Sequence, residues 1–317
     1  EDEIEVAHLI NNTPITGDDR LTYIYEDIIQ KIIKPEPVLS FGNRTFRMAI
    51  QVDDKEFGQK GDFRLKFSLY DNTDLDHLAH ATPTNDMVVG ISEWLQHDSN
   101  LKSKISDYVR TQKYIRLNTS TAAGTRSETL NNFREANKLL LKEIQTRFEE
   151  MFMETSFISK NLVIQPDELN TAAPPSRFIQ MVTRHMEEVY HKHKLSNGYA
   201  TSNALLITNA RSKQSQLHKD LTPAEEEVNN KLNFEGENPV AGDIVKMFEK
   251  APYGWKDIAT LDILLNLGRK GFRRFEWKNE EIDMIAFAEK AVNSRERDAI
   301  TIRKEKAHSK EEVGAFI

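Results

Sequence analysis

Residues 125–153, TRSETLNNFREANKLLLKEIQTRFEEMFM, contain no glycine and no proline. Leu130, Phe133, Leu140, Leu141, Ile144, Phe148, Met151 and Phe152 recur there at helical spacing. Thr125 followed by Glu128 has the form of a capping box, so the spacing predicts one helix from 125 to 153. At 1.5 Å per residue it spans roughly 40 Å. A helix of that length with an apolar stripe needs a second helix along it, as a coiled-coil arm or a domain spine. An all-β fold is excluded at once.

The flanking residues add strands and further helices. Residues 20–34 (RLTYIYEDIIQKIIK) carry Leu21, Ile24, Tyr25, Ile28 and Ile32 on one stripe, ended by Pro35 and Pro37. TFRMAIQV (45–52) and DFRLKFSLY (62–70) alternate and are rich in β-branched or aromatic residues, so they read as strands joined through Gly58–Gly61. MVVGI (87–91) reads as a third strand and FISKNLVI (157–164) as another; residues 92–117 read as one or two helices. Ser176 caps a predicted helix bearing Phe178, Met181, Val182, His185, Met186, Val189 and Tyr190. Thr222, Pro223 and Glu225 combine a cap, a first-turn proline and a capping-box acid. Residues 239–250 and 279–292 read as helices and 299–305 as a strand.

The fold class is therefore α+β and mainly helical. Its expected parts are a small α/β unit (1–100), a long-helix spacer (101–170), a helical block (171–236) and a winged-helix domain (237–305). The start of a further helix (306–317) follows, capped by Ser309 and Glu312. That last cap, and a first residue that is Glu1 rather than Met, give the expectation of an internal piece of a larger protein.

Residues 251–277, APYGWKDIATLDILLNLGRKGFRRFEW, carry the one constellation with a functional direction. They read as a tight turn, an amphipathic helix, a Gly-bounded turn and a basic aromatic strand, which is the order of a winged helix. The helix would bury Ile258, Leu261, Leu264 and Leu265 and present Lys256, Thr260 and Asn266 beside Asp257 and Asp262. Over 237–278 eight Lys/Arg face six Asp/Glu, a net +2 in a chain of −7. Two readings stand: a surface cluster on a packing module, or a grip on a nucleic-acid backbone through Lys256, Arg269, Lys270, Arg273 and Arg274. The second implies that alanines at 269, 270, 273 and 274 abolish binding without harming the fold, and that Asn at 257 and 262 strengthens binding.

No G-x-x-x-x-G-K-[ST], G-x-G-x-x-G or G-x-S-x-G occurs, so the chain is expected neither to bind nor to hydrolyse ATP. GQKGDFR (58–64) fits a hairpin loop better than a phosphate loop. His185, His191 and His193 lack the i, i+4 spacing of a zinc pair, and His185 falls in an apolar stripe, as a core histidine would. DNTDLDH (71–77) lacks the glycine and distal glutamate of a calcium loop and reads as a solvated turn. Asp53 and Asp54 read as turn residues. No catalytic, cofactor or metal residue is assigned. The chain has no cysteine, no run of about 18 apolar residues and no signal peptide, which suits a cytoplasmic protein without a membrane segment.

Several segments together resemble a known family. VDDKEFGQKGDFRLKF (52–67), the run 127–164, RFIQMVTRHMEEVYHKHKL (177–195) and above all APYGWKDIATLDILLNLGRKGFRRF look like the large P-loop ATPase of bacteriophage-exclusion (BREX) defence systems, phage-growth-limitation Y type. The resemblance implies a bacterial anti-phage ATPase, using ATP and Mg, that works beside a DNA methyltransferase and other defence subunits. The phosphate loop of that family is not in this chain. What remains would couple nucleotide-driven motion upstream to DNA or to partner subunits through the winged helix. An assembly platform and a winged-helix transcriptional regulator stand as alternatives, and self-association is open. A basic recognition helix would favour DNA; an exposed apolar face on 125–153 would favour the platform.

Overall fold

The computed structural model describes residues 2–33, 38–69, 75–83, 85–89, 98–120, 122–160, 162–212, 220–236 and 238–305. They divide into two compact units, Glu1–Leu39 with Thr45–Val189, and Ser40–Arg44 with Tyr190–Ile317.

In the first unit α1 (Asp2–Asn11) precedes α2 (Gly17–Ile24), which opens on a Thr16–Asp19 capping box. The helix runs through one π turn, Tyr25–Ile29, into α3 (Gln30–Ile33). Leu21, Ile24, Ile28 and Ile32 are buried as their spacing predicts, but Tyr25 is only half-buried. The predicted stop at Pro35 and Pro37 lies outside the described residues.

Strands β1 (Val38–Phe41), β2 (Arg44–Val52), β3 (Lys55–Phe57) and β4 (Phe63–Phe67) follow, then α4 (Leu75–Ala81) and β5 (Met87–Val89). Next come α5 (Ser99–Asn118), α6 (Thr125–Met153), β6 (Phe157–Ser159), β7 (Leu162–Ile164) and α7 (Pro174–Val189). The sheet runs β1-β2-β4-β5-β6-β7, with β3 paired to β2 beside that path. β2, β4 and β5 are parallel; β6 and β7 add antiparallel. Phe46, Met48, Ile50 and Val52 alternate into the core, as do Phe63, Leu65 and Phe67. On the sheet's other side α4 packs on β6 and β7, around Ala79, Val88 and Ile158.

Several expectations change here. β2 and β4 are parallel, so Gly58–Gly61 is not their hairpin loop. The hairpin lies at Asp53–Asp54, between β2 and the unforeseen β3, and residues 58–62 return the chain to the start of β4. Gly61 is needed in that return, because a Cβ would stand 2.4 Å from the Arg47 carbonyl oxygen. FISKNLVI is a hairpin, β6–β7, rather than one strand. Helix α6 has the predicted bounds, but its N-cap is Gly124 and Thr125 already lies inside the helix. Likewise α7 begins at Pro174, which places Ser176 in the first turn. The α6 stripe meets α5, and Val6 and Ile10 of α1 join Tyr114, Ile115 and Leu130 there. Residues 71–74, 91–97 and 306–317, with their predicted turn, helix and cap, lie outside the described residues.

The second unit contains α8 (Asn203–Arg211), α9 (Pro223–Phe234), α10 (Ala241–Phe248), α11 (Asp257–Arg269), β8 (Arg273–Trp277) and β9 (Glu280–Ile282). It ends in α12 (Met284–Ala291), α13 (Ser294–Arg297) and β10 (Ile300–Lys304). The predicted Thr222–Glu225 capping box is present at the start of α9. Residues 280–282, expected within a helix, are strand β9, because Lys278 and Asn279 close a two-residue turn with φ of 52° and 67°. Positive φ at both central residues is the primed turn that suits a tight hairpin. β10 pairs with the other side of β8. The helix–helix–hairpin order is there, with a two-residue tip in place of an extended wing.

Candidate nucleic-acid interface

The segment 252–255 is held by packing. Tyr253 donates to Glu227 Oε2 at 2.6 Å, and Lys192 Nζ meets Glu227 Oε1 at 2.5 Å. Trp255 Nε1 donates to the Lys192 carbonyl at 3.0 Å. The rings of Tyr253 and Trp255 lie 4.4 and 4.8 Å from Phe248. Gly254 has φ +61°, and a Cβ there would stand 2.5 Å from the Tyr190 ring, so this position excludes larger residues. Burial raises the Glu227 carboxyl, but hydrogen bonds from Lys192 and Tyr253 outweigh it and hold its pKa below the usual range. Burial first, and then the Glu227 hydrogen bond, raise Tyr253. The group is a staple made of a charged pair and three rings.

Helix α11 is buried on almost every side, packed by α8, α9, α10, α12 and β8. Ile258, Leu261, Leu264 and Leu265 are buried as expected, but so are Thr260 and Asp262 on the face expected to be open. Asp262 accepts from the Ala200 amide at 2.9 Å and from Asn209 Nδ2 at 3.1 Å. Asp257 accepts from Arg297 at 3.2 Å and from the Ile258 amide. A recognition helix needs one face free for the groove. In this structure α11 is the central helix of a core and presents no such face.

The five candidate cations of the basic island are partnered within the same unit. Lys256 Nζ donates to the Thr201 carbonyl at 2.6 Å. Arg269 donates to the carbonyls of Asn209 and Ser212. Lys270 meets Glu225 Oε2 at 2.6 Å, with side chains only 8% and 2% exposed, and also donates to the Asp220 carbonyl. Arg273 is buried and donates to Asn229 and Asn233, the closest at 2.6 Å. Arg274 lies between Glu281 at 2.9 Å and Glu276 at 3.5 Å. Burial lowers the pKa of Arg269 and of Arg273. The structure therefore brings the five residues to one unit but not to a free basic surface. Removing Lys270 or Arg273 would also leave buried acceptors unpaired, so the expectation that the four-alanine variant keeps its fold is corrected. The same holds for Asp262→Asn, which alters a buried, bonded carboxylate.

Other sequence candidates also have partners within the fold. His185 is buried, donates from Nε2 to the Asn85 carbonyl at 3.3 Å and accepts at Nδ1 from Ser159 Oγ at 2.6 Å. Burial lowers its pKa to about 4, so it is the neutral core histidine its spacing suggests. His193 is also buried and bonds the Gly254 carbonyl. Among the described residues no group of three or more His, Cys, Asp or Glu could hold a metal ion. Asp53 is a turn residue whose Oδ1 accepts from the Leu69 amide at 2.6 Å. No described helix is long and apolar enough to cross a membrane. The outer face of α6 is polar apart from Leu139, so it does not supply the apolar face that would favour a platform.

The first unit is thus an α+β domain built on a mixed sheet whose main path has six strands. The family model described as BREX ATP-binding protein BrxC 4th domain with six-stranded beta sheet matches residues 13–173, half of the chain, and all six strands of that path lie within the match. The chain belongs to this family and so to the BREX phage-defence systems. No curated protein and no solved structure matches it.

Proposed function

We propose that this chain is a non-catalytic part of a BREX ATP-binding protein that passes nucleotide-driven motion to partner defence subunits through protein contacts, in the cytoplasm. The observation that carries this reading is the state of residues 251–274: α11 is enclosed, and Lys270 and Arg273 are buried on partners from α9. An element so occupied is suited to transmit force as a rigid body, and poorly suited to grip phosphates. ATP and Mg belong in this reading to a phosphate loop that the chain does not contain. Contact with the DNA backbone is the second reading, favoured by the net +2 of 237–278.

Fluorescence anisotropy with a labelled duplex at low salt separates the two. The proposal expects no salt-dependent binding by the chain, and retention of at least one other subunit of the same defence system when the two are co-expressed. Duplex binding with a log–log salt slope of about −0.9 per phosphate engaged supports the DNA reading instead. Absence of both duplex and subunit binding removes the relay.

A further inference from the structure

A cavity of about 520 Å³ opens in the first unit between the π turn, β2 and the loop after β3. Met48 and Ile50, both almost fully buried, form an apolar floor. Tyr25 and Phe57 form an aromatic wall, their rings stacked with centroids 4.2 Å apart and planes 20° apart. Four polar side chains converge on the rim: Gln30, Gln59, Arg47 and Lys60. No Asp or Glu is among the described residues lining the cavity. This is the reverse of the second unit's island, where most cations have a carboxylate or amide partner.

The π turn is a second, independent sign. Such single turns are rare and cluster at functional sites, because an extra residue re-aims the side chains around it. Here Ile24, Ile28 and Ile32 stay in the core while Tyr25, the first residue of the turn, lies on Phe57 at the cavity wall. Phe57 is steadied from β3, where Lys55 Nζ stands 5.5 Å from its ring and is tied to Asp18 at 3.3 Å.

We propose that this cavity binds one nucleotide unit, a phosphate ester carrying a flat base. The base has an aromatic wall to stack on and two glutamine amides, which can donate and accept, for its edge. The phosphate has Arg47 and Lys60, the first able to bind it in a bidentate fork. The volume lies within the roughly 300–1,000 Å³ common for small-molecule sites. Such binding departs from the expectation that the chain binds no ATP, which rested on the missing phosphate loop alone. The proposal concerns the first unit and stands or falls apart from the relay.

Calorimetry on the whole chain at low salt tests it with the four 5′-ribonucleoside monophosphates, inorganic phosphate, adenosine and a short single-stranded oligonucleotide. At least one monophosphate should bind at or below millimolar concentration, with inorganic phosphate and adenosine each weaker by about ten-fold or more. Arg47→Glu with Lys60→Glu should weaken the monophosphate by about ten-fold or more at unchanged melting temperature, since both side chains are exposed. Tyr25→Leu should weaken it too. A strand that binds as tightly as the monophosphate, and fails on the charge-reversed variant, identifies nucleic acid as the source; exclusion of the strand identifies a free nucleotide. No monophosphate binding at millimolar concentration, equal binding of inorganic phosphate, or unaltered affinity after charge reversal overturns the proposal.

Discussion

Arg47 and Lys60 in the first unit and Lys270 and Arg273 in the second carry the same charges in the sequence and opposite roles in the structure. The first pair stands exposed at the rim of a cavity with no acid among its described lining residues. The second pair is buried, Lys270 on Glu225 and Arg273 on two asparagines. A net charge summed over a segment cannot separate these cases. What separates them is whether the fold supplies partners from elsewhere in the chain, and here α9 supplies them from 40 to 45 residues away.

The largest effect should come from breaking the buried pair. Lys270→Ala leaves Glu225 buried without its cation and should cost about 3–5 kcal/mol by urea denaturation. Arg47→Ala, on an exposed rim, should stay within about 0.5 kcal/mol. Equal costs would erase the contrast between the two regions. Next, Leu140→Pro in α6 should cost about 3 kcal/mol or more, because it removes a helical hydrogen bond in the middle of the α5–α6 pair. An unchanged melting curve would show that α6 is not one continuous helix.

A titration sharpens the comparison from the core of the first unit. His185 has a folded pKa of about 4 against an ordinary 6.5, so the folded protein holds it neutral where the unfolded chain would protonate it. The unfolded state then binds more protons between those values, and stability must fall as pH drops from 6.5 toward 4. The full loss is about 3 kcal/mol. His185→Gln should flatten that slope; an identical slope in the variant assigns it to other groups. The smallest effect among the buried positions is that of Asp262→Asn, expected to cost about 1–3 kcal/mol by weakening a buried acceptor of the Ala200 amide. An unchanged or raised stability would mean that the carboxylate is not needed there.

Much of this architecture is readable in the residues, and the failures share a cause. The bounds of α6, the buried stripe of α7 and the Thr222–Glu225 cap are local patterns, and the structure repeats them. Alternation in 45–52 and 62–70 marks strands but says nothing about their relative direction, so the parallel pairing of β2 and β4 was not legible. β9 was missed because Glu280 and Glu281 suit helices, and because its turn uses Lys278–Asn279 rather than a glycine. The π turn has no residue signature. The candidate interface is legible only in part for a similar reason: the cations are evident, but the partners of Lys270 and Arg273 on α9 are distant in sequence. Lys192 and Glu227, which brace Tyr253 and Trp255, were not singled out for the same reason.

The central claim is that the basic island of 251–274 holds the second unit together rather than gripping DNA. One variant tests it most directly, with alanine at Arg269, Lys270, Arg273 and Arg274, followed by thermal melting and duplex titration beside the parent. The account predicts a clear fall in melting temperature and no duplex binding by the parent even at low salt. A variant that melts like the parent, but has lost a steeply salt-dependent duplex binding that the parent shows, would contradict it.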